Sequence, residues 1–283
     1  MPGGQRRFAV YVDKGGVAKT TSIGHIGRSM AEHHDLDVLL VDAAGRQNDL
    51  ATLFGLGDEV SGGVEAPLSA IFREDWEFIR ENIPDVVDRM VFETEYPGLS
   101  IIPSDPGLEG ADNDLASLPL EERYDKLDEF VSTELDEYDV VAFDLPGKES
   151  NIALNGLVAA ENVVATAKPG EFERRQVDQL PDILTGIVAD YPRELDLEIV
   201  MILPSAVDNQ KNMHQEFVGY IEENYPDLVA PEVINNAVDI EESAKRGSTV
   251  FAVDDDGLYR TGKRARSAYR TVTTDLLERL DEQ

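Results

Sequence analysis

Two lysines, Lys14 and Lys19, bracket a glycine pair in the stretch KGGVAKTT, and two threonines follow at once. Each residue type there suits a phosphate. Gly15 and Gly16 let the backbone approach closely and take positive φ. Main-chain N–H groups in such a loop converge on an anion, and the positive end of a following helix adds to that field. Lys19 would reach the β- and γ-phosphates of a nucleotide, and the Thr20 hydroxyl would complete a Mg2+ shell. The stretch departs from the common pattern G-x-x-x-x-G-K-[ST], because Asp13 and Ala18 stand where that pattern has glycines.

Such a loop needs a strand before it and a helix after it. RFAVYVD (7–13) is β-branched and aromatic and ends at the glycine pair, so it predicts a buried strand. From Lys19 to His34 the apolar spacing is helical, with Ile23, Ile26, Met30 and His33 near one face. LDVLLVD (36–42) predicts a second strand that ends on Asp42. Strand, loop, helix and strand make a βαβ unit, which belongs in a parallel sheet. Further strands are predicted at 98–105, 138–144, 160–169 and 197–204, and the 138–144 strand again ends in a carboxylate, Asp144. Helices are predicted at 66–81, 121–136, 171–190, 209–224 and 263–281, with 55–97 mostly helical. Unbroken apolar strands separated by helices predict an α/β fold, a doubly wound, mostly parallel sheet flanked by helices. No Pro-, Gly- or Ser-rich linker interrupts the chain, so a single domain over 1–283 is expected.

Composition narrows the function classes. The 283 residues are 42% hydrophobic, enough for a core, which argues against the disorder that acidity alone would suggest. The net charge is −32, and the cations comprise 17 arginines but only 8 lysines. An acidic surface poor in lysine predicts a halophilic protein, soluble in concentrated salt that screens its self-repulsion. The absence of cysteine excludes disulfides, thiolate metal sites and Fe–S clusters. There is no apolar run of about 18 residues, so no transmembrane helix is expected. Two arginines precede a short apolar stretch at the N-terminus, but no cleavage site follows, so the expectation is a cytoplasmic protein.

KGGVAKTT resembles the deviant Walker A motif, K-G-G-x-x-K-[ST]-[ST], of ParA/MinD-type ATPases. The resemblance makes Lys14 a signature lysine that reaches the phosphates of a partner subunit across an ATP-sandwiched dimer. A cation arriving in trans neutralises charge that develops during phosphoryl transfer, as an arginine finger does. The resemblance implies that Lys14, Gly15, Gly16, Val17, Ala18, Lys19, Thr20 and Thr21 hold ATP. Ala18 often reads Gly in the family, and its methyl group is expected to be tolerated while tightening the loop. DVLLVDAAGRQNDL, GLSIIPSDPGLEG, YDVVAFDLPGKES and STVFAVDDDGLYRTGKRARSAYRTV resemble later family segments, so the likeness spans most of the chain.

The family carries two aspartates two positions apart after its second strand. Asp42 matches the first, which supports the Mg2+ shell, and Ala44 falls where the second orients the attacking water. The expectation is therefore ATP and Mg2+ binding with weak hydrolysis, or a borrowed carboxylate such as Asp49, with Gln47 and Asn48 as lesser candidates to align water. Asp144 matches the Walker B aspartate. Gly147 stands in a Pro146-Gly147 pair where Pro-Pro-Ser is more usual, and its N–H can bond the γ-phosphate. Residues 201–210 and 233–247 resemble the loops that flank adenine. ATP over GTP follows from the resemblance, and the N-K-x-D signature of GTP binders is absent.

Residues 257–273 hold Arg260, Lys263, Arg264, Arg266 and Arg270 and no acid. On a helix Lys263, Arg266 and Arg270 share a face. The stripe either answers the protein's own acidic surface or contacts a phosphate backbone. ParA-type proteins bind DNA non-specifically in this region as ATP dimers, so the resemblance implies a homodimer with ATP, non-specific DNA, nucleoid association and a ParB-like or other adaptor. Lys245 and Arg246 would extend the patch. MinD-type relatives instead end in a basic amphipathic helix on lipid. This chain ends TTDLLERLDEQ, which is acidic, so a membrane partner is disfavoured. An ATP-binding switch with little hydrolysis remains open because of Ala44. Fe–S relatives need cysteines, dethiobiotin synthases lack the signature lysine, and a tyrosine kinase would need more than Tyr259 and Tyr269 near its C-terminus.

Overall fold

A strand that is apolar without alternation must be covered on both faces. The computed structural model describes residues 4–12, 18–45 and 48–282, and it shows this arrangement. Eight strands form one sheet: β1 (Arg6–Val10), β2 (Val38–Asp42), β3 (Phe92–Glu93), β4 (Leu99–Ile102), β5 (Val140–Asp144), β6 (Asn162–Ala167), β7 (Glu198–Val207) and β8 (Ile234–Asn235). Their order is β3-β4-β2-β5-β1-β6-β7-β8, and every pairing is parallel except β3 with β4. Every residue of β2 and β5 is buried.

Alternate strand residues feed two cores. Ala9, Leu39, Val41, Val141 and Phe143 pack with Leu127, Phe130, Leu157, Leu180 and Phe217. Phe8, Val10, Val38, Leu40 and Ala142 pack with Ile23, Ile26, Met30, Val272 and Leu276. Helices therefore lie on both faces, and the doubly wound expectation holds. The second core is built from α1 (Lys19–His34), α2 (Asp49–Leu53) and the C-terminal helix Arg260–Asp281.

Some predicted elements differ. The single helix expected at 66–81 is a 3-10 turn, Leu68–Phe72, and a helix, Trp76–Asn82. The chain turns out at extended Arg73, which is paired with Asp75, and this lets Trp76 meet Phe130 edge-on at 5.8 Å. The helix expected at 121–136 is likewise two pieces, Leu120–Arg123 and Lys126–Glu134. Between them Asp125 is buried, where the Tyr191 hydroxyl and the Arg193 guanidinium bond to it. The expected 55–97 region is mostly short turns rather than helix.

Gly247 takes φ +70°, and a Cβ there would lie 2.8 Å from the Gly55 Cα. Backbone meets backbone at this point, fixing the segment after α2 against the loop before the C-terminal helix. Gly55 also has positive φ, but its Cβ would make only an ordinary contact, 3.5 Å from the Gly247 oxygen. Gly55→Ala is expected to cost about 1–2 kcal/mol from left-handed strain alone. Gly247→Ala should cost clearly more, because a main chain must shift. Urea denaturation midpoints check the ranking, and equal losses would contradict it.

Candidate nucleotide site

Parallel strands that end together bring their last residues to one edge of the sheet. In the register of β2, β5 and β1, Asp42 lies opposite Asp144, and Val10 lies opposite Asp144 on the other side. Lys14, Gly15, Gly16 and Val17, expected from the sequence to hold phosphate, lie outside the described residues, as does Gln47. The description resumes at Ala18, which caps α1 at φ 66° and ψ 24°. That left-handed geometry costs a side-chain-bearing residue about 1 kcal/mol, which is the physical reason a glycine suits the position. The Ala18 carbonyl accepts the Ser22 N–H at 2.9 Å.

The first turn of α1 then aims at the strand ends. Lys19 is buried, and its ammonium charge pulls the Asp144 carboxyl partly down. The Thr20 hydroxyl donates to Asp144 Oδ2 at 2.5 Å. Thr21 is half-buried, and its carbonyl bonds Nδ1 of His25 at 2.7 Å. Asp42 Oδ1 accepts the Ala44 N–H at 3.0 Å, and its Oδ2 accepts the Leu50 N–H at 3.4 Å.

Asp42 and Asp144 are both fully enclosed. Desolvation pushes both carboxyls up, and the proximity of Asp144 raises Asp42 further. Asp144 Oδ1 is buried with no hydrogen-bond partner among the described residues. A buried acceptor without a partner costs free energy, and two adjacent carboxylates cost more. A divalent cation at this edge would satisfy the orphaned oxygen and offset the paired charge. No group of three or more His, Cys, Asp or Glu able to hold a metal exists among the described residues. The donor set therefore fits a cation whose other ligands are phosphate oxygens and water, the usual Mg2+ arrangement.

A cavity of about 650 Å³ opens beside this edge, lined by Asp42, Ala44, Asn48, Asp49, Pro146 and Lys148 among others. Ala44 is exposed and presents only a methyl group. Asp49 opens α2, is exposed, and adds negative charge to both buried carboxyls. It is thus the nearby carboxylate that sequence reasoning named as a substitute. Asn48 is committed elsewhere, since its Oδ1 accepts the Ser104 hydroxyl at 2.9 Å. Gly147 is half-buried in the loop after β5. Lys148, the next residue, lines the cavity and was not anticipated; its one sequence signal is its place two residues after Pro146.

His25 was also missed. It is fully buried, and desolvation lowers it to about 4. It stacks on Tyr269 at 4.6 Å, and its Nε2 accepts the Val250 N–H at 3.3 Å. It joins the first turn of α1 to the C-terminal helix. A histidine amid apolar helix positions reads as surface, and only the tertiary partners reveal it as core.

The five cations of the C-terminal helix divide into two groups. Arg260, Lys263 and Arg264 are exposed. Arg266 is drawn inward, donating to the Val253 carbonyl at 2.9 Å and pairing with Asp255. Arg270 donates to His33 Nε2 at 2.7 Å. The predicted shared face of Lys263, Arg266 and Arg270 therefore serves in part to hold the helix against its neighbours. Lys245 and Arg246 close the helix Val238–Lys245 and are exposed. No helix among the described residues is long and apolar enough to cross a membrane.

A family model described as an AAA domain matches residues 5–197. The chain is 25% identical over 272 residues to a ParA family protein of Chlamydia muridarum, across 96% of this chain and 97% of that one. It is 27% identical over 280 residues to the chromosome-partitioning ATPase Soj of Thermus thermophilus, across 98% and 97%. A Mycobacterium smegmatis structure described as cobyrinic acid a,c-diamide synthase, with bound ATP analog and magnesium, shares the fold. Its TM-score is 0.73 at 22% identity, over 97% of this chain and 95% of that one.

The raised carboxyls carry a pH signature. The folded state retains protons that the unfolded chain has released. The contribution is fully present below an unfolded pKa of about 4 and is lost as pH rises toward about 8. Ligand-free protein should therefore lose this part of its stability across that window. Asp144→Asn removes one buried charge, so its stability relative to the parent should grow with pH. Urea midpoints at about pH 5 and about pH 8 test this, and a pH-independent difference would contradict it.

Proposed function

The chain belongs to the AAA domain family, whose model covers residues 5–197, and on that premise we propose that it is a ParA-type ATPase of the deviant Walker A kind. It dimerises around ATP and Mg2+, binds DNA without sequence preference as that dimer, and partitions a plasmid, a chromosome or another cargo with an adaptor's help. The observation that carries the reading is the pair of buried strand-end carboxylates, Asp42 and Asp144, with an orphaned oxygen beside the Thr20 hydroxyl. The similarity to ParA and Soj proteins along nearly the whole chain supports it, and the reading takes 1–283 as one domain.

Each residue has a defined task in this reading. Lys19 and the loop amides of Gly15, Gly16, Val17 and Ala18 bind the β- and γ-phosphates. Thr20 and Asp42 hold the cation, while Asp144 fixes Thr20 through Oδ2 and supports the metal through Oδ1. Bound Mg2+ supplies charge that neutralises the phosphate oxygens. Thr21 anchors the start of α1, and Gly147 offers its N–H to the terminal phosphate. Lys14 reaches the partner's nucleotide, so the dimer depends on the triphosphate. With a methyl group at Ala44, no side chain there takes the proton of the attacking water. Asp49, which lines the same cavity, is the substitute, so hydrolysis is slow and leaves a long-lived ATP state.

DNA is contacted by Arg260, Lys263 and Arg264, with Arg266 and Arg270 bracing the helix behind them. A membrane partner fits less well. Leu276, Leu277 and Leu280, the apolar residues a lipid-binding helix would present, are buried in the core. A halophilic, nucleoid-associated cytoplasmic protein accords with the charge of −32 and the scarcity of lysine.

Sedimentation and DNA binding in molar KCl test the proposal. The expected result is a DNA-binding dimer with ATP, and a monomer without DNA affinity with ADP or no nucleotide. Lys14→Ala should lose the dimer and keep ATP binding. A monomer with strong affinity for anionic liposomes would favour the membrane reading. In a second assay, Ala44→Asp should raise phosphate release on the order of tenfold, since general-base help returns. Labelled ATP recovered intact from the parent would favour a binding switch without hydrolysis.

A further inference from the structure

Tyr259 stands at the start of the C-terminal helix with two-thirds of its surface open, at 66% exposure. Its backbone is not loose. The Tyr259 N–H donates to Asp239 Oδ1 at 3.0 Å, and Asp239 is itself buried. Gly262, one turn on, makes room for that carboxylate, since a Cβ there would lie 2.4 Å from the Asp239 Cγ. The helix start is therefore built to hold Tyr259 at a set position. Val238, beside Asp239 in sequence, is also exposed.

The charges around this ring are selective. Arg260, Lys263 and Arg264 are exposed and have no ion pair among the described residues. Asp255 in the preceding turn is taken up by Arg266, while Asp254 and Asp256 beside it are exposed. Lys263 and Arg270 also bear on Asp255 electrostatically. Residues 257–273 carry five cations and no acid, on a chain whose net charge is −32. Cations alone are a weak basis for holding a polyanion in concentrated salt, because counterion release fades as salt rises. An apolar contact does not fade in that way. Aromatic and apolar side chains that press against bases or groove walls supply such a contact.

We infer that Tyr259 is a fixed apolar contact to duplex DNA, set among the phosphate-binding cations Arg260, Lys263 and Arg264, and that it supplies the part of the affinity that salt does not remove. The inference rests on the DNA reading proposed above and goes beyond it by naming a contact that is not electrostatic. Asp239 and Gly262 are positioning residues for the ring.

The test is titration of ATP-loaded full-length protein into a fluorescent duplex across a range of KCl. Tyr259→Ser should weaken binding about tenfold at every salt, with the slope of log K against log salt unchanged. Tyr259→Phe should bind like the parent. Arg264→Ala should lower the slope magnitude by about 0.9, the signature of one lost phosphate contact. Tyr259→Ser binding like the parent while Arg264→Ala changes the slope would overturn this inference and leave the DNA reading standing. A parent that binds no duplex with ATP, or that prefers anionic vesicles, would overturn both. Circular dichroism of each variant checks that the fold is retained.

Discussion

Two carboxylates buried side by side are a costly arrangement, and much of the candidate site follows from how this chain manages it. Asp42 and Asp144 end adjacent strands in direct register. Their backbones are fixed by the sheet, so neither can move to water. Two N–H groups serve Asp42, and Thr20 serves one oxygen of Asp144. Lys19 contributes charge from the first turn of α1. What is left among the described residues is one unsatisfied oxygen on Asp144 and excess negative charge at the strand ends beside the start of α1. Such a site is incomplete by itself and is completed by a cation carried on an anion. The raised carboxyls and the affinity for a metal–nucleotide are two expressions of the same constraint.

The same first turn of α1 connects to the opposite end of the chain. His25, one turn beyond Thr21, is neutral and packed on Tyr269 of the C-terminal helix. Farther along α1, His33 accepts from Arg270 of that helix. The element whose first turn faces the strand-end carboxylates is thus in direct contact with the element that carries the exposed cations. This shared packing gives the nucleotide edge and the basic helix a common scaffold, buried in the second core between the sheet and solvent.

Much of this was legible in the sequence because it is local. VVAFD and VLLVD announce buried parallel strands by their unbroken apolar runs and show where each ends by its aspartate. The position of Ala18 in the motif matches its left-handed backbone. What was not legible depended on distant partners. β3 and β8 are two residues each, too short to show a period. Nothing local in 66–81 reveals that Trp76 must turn to meet Phe130. The cations of the last helix looked alike, yet Arg266 is drawn to Val253 and Asp255, and Arg270 to His33, more than two hundred residues away. Helical spacing gives a face; only tertiary contacts say which charges on it are already committed.

Protons and a metal–nucleotide should compete for the buried pair Asp42 and Asp144. Calorimetric titration with Mg2+ and a non-hydrolysable ATP analogue, near neutral pH in buffers of different ionisation enthalpy, measures this competition directly. Binding should release about one proton, a release that disappears in Asp42→Asn. Tight binding with no proton released, or no binding at all, would contradict it.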